Sequence, residues 1–392
     1  MPGMQKDDRL IKLPLKVILT REGSTFFIKK KRKLLKFKLA GNVEEYGIAL
    51  ENFDPTTIQQ LILMGYVAKV EVSKSEFISS RQEVMDLSKL IVFSVLYNQY
   101  DEFVFNKLIN SDIIKKWNRQ NPANIIDERT RINDKILANV LEKNKEDLHK
   151  TKMGILEPLH KFIMKNDSLE PAEKNIQLFL SEKFLDHIRP FTWFIITKFK
   201  KSEDQFEGLL KTLRTSLVEY MDKTKIAEYI SLMLMELIIN AENTNLKKEV
   251  GILFPEMENP QEALLDPAIR RRLVLELEQK EELVYVTWKI SGGNASLGAT
   301  GKIQITLYSK NEEAERIRAS LNDVKNTDTE EKSLLDFYKK SQIEGDVDPT
   351  NMGMYYISYL NEACEKVKVR FESNVNHFSD SDLTVMNMFF MF

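Results

Sequence analysis

Residues 226–241 place Ile226, Tyr229, Ile230, Met233, Leu234, Leu237, Ile238 and Ala241 at the i, i+3, i+4, i+7 spacing of a helix with one apolar face. A face that wide must be covered by a sheet or by other helices, so this segment constrains the fold more than any other. Its polar residues are equally ordered. Glu236 and Asn240 are four apart and stack at the border of the apolar stripe. Asn243 and Thr244 carry the same edge on by another turn. A carboxylate one turn ahead of a carboxamide can hold a hydrated magnesium ion and order a water, because Mg2+ keeps several waters and takes few protein oxygens. Polar residues at i and i+4 also occur on ordinary surface helices, so spacing alone leaves a plain solvated edge open.

A chain of 392 residues exceeds the usual single core, and 43% apolar residues are ample for packed interiors. Near balance of 57 basic and 59 acidic residues disfavours nucleic acid as a global partner. No apolar run is long enough to span a bilayer, and the opening residues lack the apolar stretch of a secretory signal, so a cytoplasmic location is expected. The single cysteine, Cys364, excludes intramolecular disulfides and multi-cysteine zinc sites, and reads as a small core residue. The histidines at 149, 160, 187 and 377 are dispersed. Walker A, HExxH, GxSxG and dinucleotide-binding glycine patterns are all missing.

The expected fold class is α+β in three parts. Residues 1–76 read as a small strand-rich module, with strands at Leu13–Leu19, Thr25–Ile28, Gly47–Leu50 and Tyr66–Val72. A short helix between the last two starts at Asp54 and stops at Gly65. Within the module lies the basic run Lys29–Lys38; the first forty residues hold twelve Lys and Arg against three Asp and Glu. Such a run suits an anionic membrane surface or phosphates, or is a strand edge guarded by lysines. Residues 77–222 read as helical, with segments at Val84–Tyr100, Ile132–Lys150 and Leu178–Phe199, the last interrupted at Pro190. Pro122, Pro158 and Pro171 separate the pieces. This region offers a bundle or a homodimerisation element. Residues 223–392 continue from the 226–241 helix into a charged helix opened by Pro267 and Ala268, then a hairpin of Leu283–Ile290 and Lys302–Tyr308. A helix near 311–322, a polar lid to Asn351, a helix to Lys366 and strands at Val367–Phe371 and Leu383–Phe392 complete it.

The box Glu236–Asn245 and the turn Asn351-Met-Gly353-Met, set in this order of elements, resemble the ATP-binding domain shared by gyrase, histidine kinases and MutL (the GHKL group). The resemblance covers 223–392 and implies a two-layer α/β sandwich. It implies a Mg2+-ligating asparagine at Asn240, a water-activating carboxylate at Glu236, and Asn243 on the nucleotide side of the same helix. It also implies ATP phosphates over the helix start at Asn351 and Gly353, where free N–H groups and the helix dipole favour an anion. The family's adenine-reading Asp-x-Gly-x-Gly turn would fall on Ser309-Lys310-Asn311, so Ser309 replaces the aspartate and Lys310 adds a cation. A serine lacks the charge-assisted hydrogen bond of a carboxylate. Asp186-His187-Ile-Arg189-Pro190 approaches the phosphoaccepting His-x-x-Arg-x-Pro box, but Arg189 and Pro190 come early, and His187 is read as a kink or cap.

Two functions stand open. One is a cytoplasmic signalling protein that binds Mg-ATP and phosphorylates or regulates a protein partner. The other is a non-catalytic pseudo-ATPase scaffold whose departures at Ser309, Asn311 and Asn351 leave only protein interaction.

Overall fold

A computed structural model describes residues 13, 15–29, 34–38, 44–49, 60–167, 169, 171–257, 259–291, 301–309, 360–381 and 383–392. The chain is mixed helix and sheet, as expected, and divides into two units: Met1–Val95 with Ile226–Phe392, and Leu96–Lys225.

Among the described residues the first unit holds eight strands: β1 (Leu15–Leu19), β2 (Leu35–Lys38), β3 (Glu44–Ala49), β4 (Val67–Lys74), β5 (Val284–Ser291), β6 (Lys302–Ser309), β7 (Arg370–Phe378) and β8 (Leu383–Met391). They form a single sheet in the order β2-β3-β1-β4-β5-β6-β8-β7, every neighbouring pair antiparallel. Alternation in sequence becomes rows in space. Ile48, Val17, Val70, Trp288, Ile305 and Met388 lie side by side across six strands, all buried. Leu15, Val72, Val286, Leu307 and Met386 form the next row. Each such side chain contributes about 1.5–3 kcal/mol by leaving water. On the opposite face a polar ladder runs Gln304 and Thr306 to Asn387 (3.2 and 2.9 Å) and Asn387 to Asn374 (3.1 Å).

Helix α1 (Arg21–Lys29) follows β1, and α2 (Arg81–Ile109) follows β4 after a short 3-10 turn at Ile78–Ser80. The division between the units falls inside α2. The second unit continues with α3 (Asp112–Gln120), α4 (Asp134–Lys143), α5 (Lys145–Lys165), α6 (Pro171–His187), α7 (Pro190–Lys198) and α8 (Glu203–Thr224). Its centre is aromatic: Tyr100 lies 4.9 Å from both Phe184 and Tyr220 between ring centroids. Arg189, between α6 and α7, donates from its backbone N and its Nε to Asp101, both at 2.6 Å, and also pairs with Glu102. His187 ends α6 and stacks on Tyr97 at 4.0 Å; burial lowers its pKa, in keeping with a packing role.

The chain re-enters the first unit at α9 (Ile226–Leu253), followed by α10 (Pro260–Leu265) and α11 (Pro267–Gln279). Asp266 caps α11, accepting from the N–H of Ala268 at 2.7 Å and Ile269 at 3.3 Å, with Pro267 in the first turn. Leu246 and Val250 of α9 pack with Ala263, Leu264, Leu273 and Leu277. Elsewhere α9 lies against β5 and β6.

Several local expectations are corrected. Thr25–Ile28 is helical, inside α1: Thr20 Oγ1 accepts the Gly23 N–H at 3.1 Å, and Phe27 is buried. Capping and burial there outweigh the strand preference of Thr-Phe-Phe-Ile. The long helix expected over 132–150 is two, broken at Asn144, whose side chain bonds the Val140 carbonyl at 2.8 Å. Pro158 does not separate helices but sits inside α5, where Ile155, Leu156 and Ile163 are buried. The last strands are Arg370–Phe378 and Leu383–Met391, because Lys368 adopts φ 59 and turns the chain after residue 367. Where the sequence suggested a self-contained N-terminal module, β4 pairs with β5, so strands from 1–76 and 223–392 share one sheet. Cys364 is fully buried and its thiol is pushed up to about 12 by that burial. The helix near 311–322, the lid, the start of the helix at Met352, the Asp54 cap and Lys30–Lys33 of the basic run lie outside the described residues.

Candidate functional site

The apolar stripe of α9 is buried through Ile226, Ile230, Met233, Leu234, Leu237, Ile238 and Ala241, but Tyr229, read from its spacing as part of the stripe, is 39% exposed and lies outside it. Glu236, Asn240, Asn243 and Thr244 lie half-buried along its border. The helix therefore brings three of the site residues read from sequence, Glu236, Asn240 and Asn243, onto one edge. Ser309 closes β6, buried, opposite Thr384 of β8. Lys310, Asn351 and Gly353 lie outside the described residues.

Glu236 accepts from Arg81 Nη2 at 3.2 Å. Burial raises its carboxyl above the ordinary value, with Arg81 pulling the other way. Eight residues along each helix, Lys89 pairs with Glu228, so the two ion pairs clamp α2 and α9 in antiparallel sense. Asn243 Oδ1 accepts from Arg270 Nη1 at 3.2 Å, and Arg270 Nε is bound to Glu76 at 2.7 Å.

The residue that spacing missed is Glu242. It is fully buried, and its Oε1 accepts the backbone N–H of Phe77. Phe77 immediately precedes the 3-10 turn leading into α2 and no local side chain caps that turn. A carboxylate from a distant helix thus satisfies a donor that the helix start leaves open. Burial pushes the Glu242 carboxyl up to about 7; the Phe77 N–H and the Arg270 charge oppose this, and Glu76 adds to it. Unmet hydrogen-bonding capacity gathers on and against this stretch: Glu242 Oε2, both amide atoms of Asn245 and Arg270 Nη2 are buried without a partner. One turn on, the nearly inaccessible Glu249 is paired to Lys280 at 2.6 Å. The signal in sequence was present: Glu242, Asn245 and Glu249 fall at i, i+3 and i+7, in line with Leu234 and Ile238, where polar residues break the stripe.

Chemically, the α9 edge offers a carboxylate and carboxamides at half burial, beside a buried carboxyl that titrates near neutrality. Among the described residues no group of three or more His, Cys, Asp and Glu side chains could hold a metal. A magnesium ion held by one carboxamide oxygen, waters and phosphates needs no such group.

The eight-stranded antiparallel sheet with a buried amphipathic helix against it defines a mixed α+β protein. Over residues 6–392 the chain matches the model of a family of unknown function (DUF8084), and it belongs to that family. It is 49% identical over 385 residues to an uncharacterized protein of Treponema pallidum (strain Nichols), covering 98% of both chains. No solved structure matches it.

Proposed function

We propose that the protein is a regulatory ATP-binding protein whose C-terminal region is a GHKL-like two-layer sandwich, with the α9 edge as its nucleotide side. The observation that carries this reading is Glu236 one turn ahead of Asn240, both half-buried, on the helix that lies against β5 and β6. The donor set fits magnesium: Asn240 would hold Mg2+, which neutralises charge on the phosphates when bound. Glu236, its proton affinity raised by burial, would order a water, and Asn243 extends the polar edge. Ser309, Lys310, Asn351 and Gly353 complete the proposed nucleotide side as the family resemblance assigns them. The partner is a protein that such a module phosphorylates or regulates, with homodimerisation through the helical unit and a cytoplasmic setting. Among the described residues no helix is long and apolar enough to cross a membrane. A membrane surface enters only through Lys29–Lys38.

Isothermal titration with ATP and Mg2+ tests this. The full chain should show magnesium-dependent binding that Asn240→Ala reduces at least tenfold, with the circular dichroism spectrum unchanged. Equal binding by the variant would sink the assignment of the site.

A second reading, a non-catalytic scaffold on the same fold, is favoured by a specific observation. Glu236 is already engaged by Arg81, and Asn243 by Arg270. Under that reading saturating Mg-ATP leaves the melting temperature where it was, since a ligand that binds the native state must raise it.

A further inference from the structure

We infer that Arg270 is a two-position switch between a pair of glutamates: it holds Glu76 while Glu242 carries a proton, and turns to Glu242 when that proton leaves. Three segments of the first unit bring these groups together. Glu76 directly precedes Phe77 after β4, Glu242 lies on α9, and Arg270 stands in the first turn of α11. Arg270 donates from Nε to Glu76 at 2.7 Å and from Nη1 to Asn243 at 3.2 Å, which leaves Nη2 buried with no acceptor. Glu242 spends Oε1 on the Phe77 N–H, which leaves Oε2 buried with no partner. The cation therefore keeps one unused donor and the buried acid one unused acceptor. A planar guanidinium presents its donors in a fixed fork, so a turn of the group exchanges one carboxylate for another.

What decides the direction of the exchange is the unequal burial of the two acids. The Glu76 side chain is 22% exposed and Glu242 is fully buried. One positive charge cannot serve both carboxylates equally. An unpaired charge costs far more in the interior than at a place water can reach, so an ionised Glu242 takes the guanidinium and water takes over at Glu76. The other cations of the turn are engaged elsewhere: Lys74 donates to Ser80 at 3.0 Å and Arg81 to Glu236 at 3.2 Å. Burial holds the Glu242 carboxyl up at about 7, with Glu76 adding to this and the Phe77 and Ile78 N–H groups and the Arg270 charge opposing it, so the exchange falls in the neutral range. Its effect is local. As pH rises, the tie between α11 and the residue that leads into the turn before α2 is released, while the Phe77 N–H stays on Glu242. The exchange needs no nucleotide, so the outcome of the ATP titration does not bear on it.

The test follows the Arg270 Nε resonance of the full chain by nitrogen-15 NMR as pH is raised through the neutral range. In the wild type the signal should shift with a midpoint near 7, the point at which Glu242 ionises. Glu242→Gln should abolish the shift, and Glu76→Gln, which removes both the competing partner and a repelling charge, should move the midpoint to lower pH. Double-mutant cycles by urea unfolding give a second readout. Coupling between Arg270 and Glu76, taken with Arg270→Gln and Glu76→Gln, should be present at about pH 5.5 and lost at about pH 8.5, and coupling between Arg270 and Glu242 should do the reverse. A Nε signal that ignores pH in the wild type would overturn the proposal, since Glu242 would then titrate without a change of partner. So would a midpoint that Glu76→Gln leaves in place. Should Arg270→Gln not fold, the NMR titrations of the wild type and the two glutamine variants decide alone.

Discussion

Gly23 lies in the first turn of α1 where the helix passes the backbone of Tyr66. A Cβ built there would sit 2.4 Å from the Tyr66 carbonyl oxygen, closer than any real Cβ approaches. That carbonyl is not free to retreat, because it accepts the Thr20 N–H at 2.8 Å. Alanine is the better helix former by about 1 kcal/mol, yet the clash with anchored backbone reverses the sign. Gly23→Ala should lower stability by about 1–3 kcal/mol, read from the urea midpoint. A stabilised variant would show that α1 does not pass Tyr66 this closely. The neighbouring residues carry the same lesson about sequence reading. Thr25-Phe-Phe-Ile28 has strand composition, and the local Thr20 cap together with the burial of Phe27, a tertiary fact, turns it into helix.

At the scale of elements, α9 does two jobs on two faces, and Glu242 joins it to the start of α2. Because burial raises its pKa from the ordinary carboxyl value of 4.5 to about 7, the folded state holds its proton more tightly than the unfolded state does. Stability from this group is therefore fully present below about pH 4.5 and is lost as pH rises through about 7, a change of about 3 kcal/mol. Glu242→Gln keeps an oxygen for the Phe77 N–H and removes the titration. The stability difference between variant and wild type should shift by about 3 kcal/mol in the variant's favour between pH 4.5 and 8, measured by urea unfolding at each pH. A difference that stays flat with pH would mean that the carboxyl is not buried as described. The outer edge of α9 was legible from spacing, since i and i+4 on a helix share a face whatever surrounds them. The burial of Glu242 was legible in the same spacing, but its capping role was not, because its partner Phe77 is 165 residues away in the chain.

Across the first unit, the sheet binds the two ends of the chain. Strand β4 meets β5 in six aligned pairs, Lys69 to Lys289 through Lys74 to Val284, and Val70 covers Trp288. The fragment 223–392, the extent of the proposed nucleotide module, loses that partner and leaves β5 as a bare edge beside a large apolar ring. It should therefore lack the near-ultraviolet circular dichroism and cooperative melt of the intact protein. A fragment that melts cooperatively with a native spectrum would show that β5 does not need β4.

By itself the sequence determined what depends on neighbours within a few residues: the apolar stripe of α9, the alternation of β5 and β6 and the hairpin they make, the Asp266–Pro267 start of α11, and the edge of Glu236, Asn240 and Asn243. Tertiary structure alone decided that β4 lies beside β5, that Pro158 is carried inside α5 by its buried flank, and that a carboxylate on α9 caps the turn before α2. The physical reason is one of range. Helical and strand periodicities are set by backbone geometry and burial of one face, which a short window contains. Strand order, tertiary capping and the proton affinity of a buried acid depend on desolvation and hydrogen bonds between segments more than a hundred residues apart, and no local spacing encodes them.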